Sequence, residues 1–156
     1  MLKEDLFKKF LDVLDALEKE GVDYILVGGF AMVLYGMPRV TQDLDIFVRM
    51  RKDNIEKLQK ALFVLLNDKN VFGITHTELH DYSVIRYGTE EGYYIDVLSK
   101  LGTAFTYEDL KYQEIDIDNH KVKIATVETL FKLKEKTLRA IDKTDLIFLK
   151  QLMNKK

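Results

Sequence analysis

The stretch Ile25-Leu26-Val27-Gly28-Gly29, followed after a short interval by Arg39-Val40-Thr41-Gln42-Asp43-Leu44-Asp45-Ile46-Phe47-Val48, decides the fold. It reads as an apolar strand over Tyr24 to Val27 and a Gly-Gly turn. A short helix over Phe30 to Tyr35 follows, ended by Gly36 and Pro38, and then a second apolar strand introduced by two carboxylates. Alternate residues of a strand share a face. Asp43 and Asp45 are therefore expected to project together, with Leu44 turned into the core. Adjacent carboxylates repel unless a cation sits between them. Oxygen-only ligands suit Mg²⁺, which keeps several waters and shares its shell with substrate phosphates. A diglycine at a strand-to-helix junction lets a phosphate approach the backbone closely. The helix start beyond it offers free N–H groups. A phosphate site beside a metal site implies chemistry on a nucleoside triphosphate.

The longer string Val27-Gly28-Gly29-Phe30-Ala31, Leu34-Tyr35-Gly36, Arg39-Val40-Thr41 and Asp43-Leu44-Asp45 resembles the DNA polymerase β nucleotidyltransferase superfamily. It is similar to the minimal nucleotidyltransferases, including the abortive-infection toxin type. The resemblance implies an α+β fold with a mixed central sheet flanked by helices and C-terminal helices beyond it. It implies Mg²⁺ or Mn²⁺ at Asp43, Asp45 and a third carboxylate from a later strand. It makes Gly28 and Gly29 part of the triphosphate site, Arg39 a phosphate contact and Thr41 a shaping residue.

Tyr93-Tyr94-Ile95-Asp96-Val97-Leu98 is an apolar strand interrupted by one acid. A charge in such a place is costly unless paired or bound to metal. Asp96 is the expected third carboxylate, a metal ligand and the general base on the attacking hydroxyl. The same resemblance extends to the C-terminal part, where Lys134, Arg139, Asp142 and Asp145 fall at the family's spacing. Lys134 and Arg139 are expected to contact the triphosphate, with Asp145 holding Arg139 or Lys134. The order Asp142-Lys143 departs from the family's Lys-Asp.

The remaining chain is ordinary for a globular protein of 156 residues, with 47% hydrophobic and 32% charged residues. It is expected to form a single domain over 1–156. The net charge of −2 argues against a general nucleic-acid binder. The absence of cysteine excludes disulfides, thiolate metal sites and cysteine nucleophiles. No apolar run is long enough to span a membrane, and Met1-Leu2-Lys3-Glu4-Asp5 lacks a signal-peptide core, so a cytoplasmic enzyme is expected. Helical periodicity marks Lys3 to Glu20, Asp53 to Asn67, Val127 to Leu138 behind a Thr126 cap, and Leu146 to Met153. Two hairpins are expected, one across Gly88–Gly92 and one across Asp118-Asn119. His76 and His80 share the spacing of a metal pair, but without His-Glu-x-x-His they read as exposed side chains.

These observations favour transfer of a nucleoside monophosphate from a triphosphate to a hydroxyl of a protein, an RNA end such as tRNA, or a small molecule. The other reading is a nucleotide-binding interaction module without chemistry, with a protein partner in a toxin–antitoxin pair. A complete set of three acids separates the two.

Overall fold

The computed structural model describes residues 4–102, 105–135 and 140–155. Its centre is a six-stranded mixed sheet. Helix α1 (Glu4–Lys19) leads into β1 (Tyr24–Val27), α2 (Gly28–Leu34), β2 (Asp43–Val48) and α3 (Lys52–Leu66). A 3₁₀ turn (Lys69–Gly73) and α4 (His76–Asp81) precede the hairpin of β3 (Val84–Gly88) and β4 (Tyr94–Leu98). The two-residue strands β5 (Lys100–Leu101) and β6 (Phe105–Thr106) pair only with each other. A second hairpin, β7 (Tyr112–Ile117) and β8 (His120–Ala125), leads to α5 (Val127–Lys134) and α6 (Ala140–Asn154).

The sheet runs β3-β4-β2-β1-β8-β7. β2 is antiparallel to β1 and parallel to β4, and β1 is parallel to β8. The two parallel pairings lie on either side of the central β1–β2 pair, which is why both inner strands read as nearly continuous apolar runs. Every residue of β1 is buried, as are Leu44, Ile46, Phe47 and Val48 of β2.

α1 presents Phe10, Leu11, Val13, Leu14 and Leu17 to this core and packs on α3 and β8. Edge-to-face contacts of Phe30 with Phe10, at 5.0 Å, and Phe7, at 5.4 Å, anchor α2 against α1. Burying a phenyl ring contributes on the order of 1.5–3 kcal/mol, so this short helix is held by packing more than by its own hydrogen bonds. Gly28 and Gly29, expected as a turn ahead of the helix, are its first two residues and are thereby placed beside β2.

Local signals account for most boundaries. Thr126 caps α5 by accepting from the Thr129 N–H at 3.2 Å. Asp118 and Asn119 both have positive φ, the geometry of a two-residue hairpin turn, and Ile117 pairs with His120 across it. Asn54 is buried, accepts from the Asp23 N–H and donates to the Asp23 and Arg49 carbonyls. It thus joins the entry to β1, the exit from β2 and the start of α3. Sequence periodicity leaves 69–81 unassigned because its elements are too short to show a period. Thr75-His76-Thr77-Glu78, a capping sequence, was the available signal, and Thr75 does accept from the Glu78 N–H. His76 and His80 lie on α4, with the His80 side chain solvent-facing. Among the described residues no helix is long and apolar enough to cross a membrane.

Candidate active site

The pairings Val27–Asp45, Asp45–Asp96 and Asp96–Arg86 form one row across β1, β2, β4 and β3. Residues in register on neighbouring strands project to the same face. Asp43 lies two residues before Asp45 on that face, and Leu44 between them is fully buried. The three carboxylates, with Val27, Gly28, Arg86 and Lys134, line a cavity of about 270 Å³. Phe47, Val84, Leu98, Leu101, Leu130 and Leu133 make its apolar side.

Three acids in one cavity cannot all be ionised without compensation. Burial, and then the neighbouring Asp96 and Asp43, push the Asp45 carboxyl up to about 7, while Lys134 pulls it down. Arg86 supplies the nearest compensation. Its Nε donates to Asp96 Oδ1 at 2.9 Å, and its Nη2 donates to Asp96 Oδ2 at 3.0 Å and to Asp43 Oδ2 at 2.9 Å. The guanidinium also lies 4.6 Å over the Tyr94 ring. Hydrogen bonding to Asp96 is the main reason its proton is held more tightly than usual.

A second ion cluster stands behind α5. Asp145 of α6 is fully buried, and its Oδ2 is 2.6 Å from Arg39 Nη1 and 3.1 Å from Lys134 Nζ. Lys134 is the member that reaches the cavity. Arg39, expected from the resemblance to contact phosphate, is turned to Asp145 and is not part of the cavity lining. Thr41 shapes the approach to β2: its Oγ1 donates to the Asp43 carbonyl and accepts from the Asp43 N–H.

The two glycines have tertiary reasons of their own. Gly28 has φ +74°, and a Cβ there would lie 2.0 Å from Asp45 Oδ2. A Cβ on Gly29 would lie 3.0 Å from Thr41 Oγ1. The diglycine thus makes room first for Asp45 and Thr41. The first-turn N–H groups of α2 receive no cap from the side chain of Val27.

Residues 6–156 match the model of the family described as nucleotidyl transferase of unknown function (DUF2204). The chain belongs to this family. No curated protein sequence matches it. Solved structures share the fold of this nucleotidyltransferase. One is an antigenic nucleotidyltransferase-like protein from Paracoccidioides brasiliensis, 21% identical, with a TM-score of 0.60 over 97% of this chain and 78% of that one. Another is the lincosamide antibiotic adenylyltransferase LnuA bound to lincomycin, 19% identical, with a TM-score of 0.57 over 96% of this chain and 97% of that one.

The donor chemistry of this nucleotidyltransferase site suits a hard divalent ion, since Asp43, Asp45 and Asp96 offer only oxygens on one open face. As the side chains stand, no group of three acidic or histidine residues among the described residues encloses an ion. The cation bridging Asp43 and Asp96 is Arg86. Sequence reading overlooked this residue. Its signal was the Gly88–Gly92 hairpin, which pairs Gly88 with Tyr94 and so sets Arg86 opposite Asp96. Arg139 lies outside the described residues.

Proposed function

We propose that this nucleotidyltransferase moves a nucleoside monophosphate from a triphosphate to a hydroxyl in a reaction dependent on Mg²⁺ or Mn²⁺, with pyrophosphate as the other product. The observation that carries the reading is the register of Asp45 directly against Asp96, with Asp43 on the same face of one cavity. Asp43, Asp45 and Asp96 would hold the metal, which when bound stabilises the charge of attacking and leaving oxygens in an in-line displacement.

This chain's own residues do the rest. Asp96 accepts the proton of the attacking hydroxyl. Gly28 and Gly29, at the start of α2, offer backbone N–H groups to the triphosphate. Lys134 contributes a point charge beside it, and Arg139 is a further candidate for that contact. Thr41 keeps Asp43 in position through the hydrogen bonds above. Arg39 acts at one remove, through the Asp145 pair that orients Lys134.

The acceptor is a protein side chain, an RNA end or a small molecule. The test is incubation with Mg²⁺, each labelled triphosphate in turn and cell lysate, with Asp96→Asn as the control. Label transferred by the native protein and not by the variant supports the reading. Tight triphosphate binding with no transfer to any fraction would instead favour a nucleotide-binding module.

A further inference from the structure

We infer that Arg86 holds a cation position of the carboxylate site, so that a divalent ion and the Arg86–Asp96 pair exclude one another. The inference rests on the metal-dependent reading above.

Three hydrogen bonds tie the guanidinium to both oxygens of Asp96 and to Asp43 Oδ2. A divalent ion shared by Asp43 and Asp96 needs oxygens from the same two carboxylates, at about 2.0–2.1 Å for Mg²⁺. Two positive centres cannot occupy that space at low cost. The guanidinium is also built to leave. β3 is an edge strand of the sheet, and the Arg86 side chain is 51% exposed. Its packing partner, Tyr94, is itself exposed at the rim. Moving Arg86 outward gives up its bonds to Asp96 and Asp43 and its place over the Tyr94 ring. The other cations near the cavity are different: Arg39 and Lys134 are 14% and 11% exposed and are held by the fully buried Asp145.

Arg86 therefore keeps the acids apart from mutual repulsion when no ion is bound, and yields to the ion when one arrives. Its presence weakens metal affinity, because each ion that enters must displace it.

The test is a Mn²⁺ titration of the full chain, followed by the spin-resonance signal of the free ion, for the native protein, Arg86→Ala, Arg86→Lys and Tyr94→Leu. Arg86→Ala should bind its first Mn²⁺ about tenfold more tightly or better, given the close like charge removed. Arg86→Lys should fall between, and Tyr94→Leu, which loosens the guanidinium and leaves the acids intact, should tighten binding modestly. Equal or weaker binding by Arg86→Ala, with the native protein still binding Mn²⁺, overturns the inference alone. Failure of every form to bind Mn²⁺ overturns the metal reading and this inference with it. Should Arg86→Ala not fold, the Nε–H resonance of Arg86 in the native protein, assigned by its loss in Arg86→Lys, decides. A move to a solvent-exposed position on Mg²⁺ saturation supports displacement, and an unmoved resonance overturns it.

Discussion

The carboxylate cluster on the sheet and the Asp145 cluster at the α5–α6 junction are built in opposite ways. On the sheet, one half-exposed guanidinium bridges two of three acids, and negative charge is in excess. At the junction, two cations share one fully buried acid, and positive charge is in excess. The Arg86 guanidinium meets water on one side, and an ion pair open to solvent contributes less to stability than one enclosed on both sides. A buried cluster of the second kind is costly to break, because removing one partner leaves charge without compensation. The first is suited to admit a cation. The second fixes Lys134 at the cavity wall, where it faces the acids.

The sharpest way to break this contrast is Asp145→Ala. It should lower stability by about 3–5 kcal/mol, since Arg39 and Lys134 lose their shared buried partner. Urea unfolding measures it. A loss no larger than that of an exposed pair would show that the junction is not a structural lock.

Asp96→Asn addresses the other cluster. Transfer should fall roughly 10²-fold or more, the scale of a lost general base, while triphosphate binding persists. Single-turnover rates beside a binding titration separate the two effects. Unchanged transfer would remove Asp96 from the chemistry and leave the sheet cluster a mere ion pair.

Gly28→Ala sharpens the picture of how tightly Asp45 is seated. The added Cβ meets Asp45 Oδ2 and the backbone has φ +74°, so a loss of about 2–3 kcal/mol is expected from overpacking and the left-handed backbone together. Combining it with Asp45→Ala should recover part of the loss, because the two changes share one contact. Strict additivity of the two midpoints would mean that the contact is not the cause.

The last test is a pH dependence. Asp45 titrates near 7 in the folded protein, above its ordinary range, chiefly because it is buried beside Asp96 and Asp43. Between the unfolded pKa of about 3.9 and the folded value, the unfolded chain has lost a proton that the folded one keeps. Stability from this group therefore falls as pH rises through that window and stays low above it. Without divalent ions, Asp45→Asn should raise Tm at pH 8 and leave it nearly unchanged at pH 4. A shift of about 2–4 °C would correspond to 1 kcal/mol in a chain of this size. A Tm difference independent of pH would contradict the raised carboxyl.

Much of the sheet cluster is legible in the amino-acid sequence. The shared face of Asp43 and Asp45 follows from the period of a strand, and the Asp118-Asn119 turn from residues that tolerate positive φ. Asp96 stood out as one acid in an apolar run. Arg86 was within reach through the hairpin register, though its charge gave no sign that it would bridge two of the acids. From the sequence, Gly28 and Gly29 read as space for phosphate. The structure shows that the same absence of side chains admits Asp45 and Thr41.

The Arg39–Asp145 pair is of another kind. Its members are 106 residues apart, and neither periodicity nor a local motif joins them. Arg39 precedes the Asp-x-Asp strand, which made a phosphate contact the natural expectation, yet its guanidinium meets α6 instead. Short-range rules of period, cap and turn act within a few residues, so the six strands of the main sheet, their faces and the acids they carry follow from local pattern. Which cation meets which acid was decided only by tertiary packing, because a charge pairs with whatever partner the fold brings within about 3 Å in a poorly solvated place, however distant that partner is along the chain.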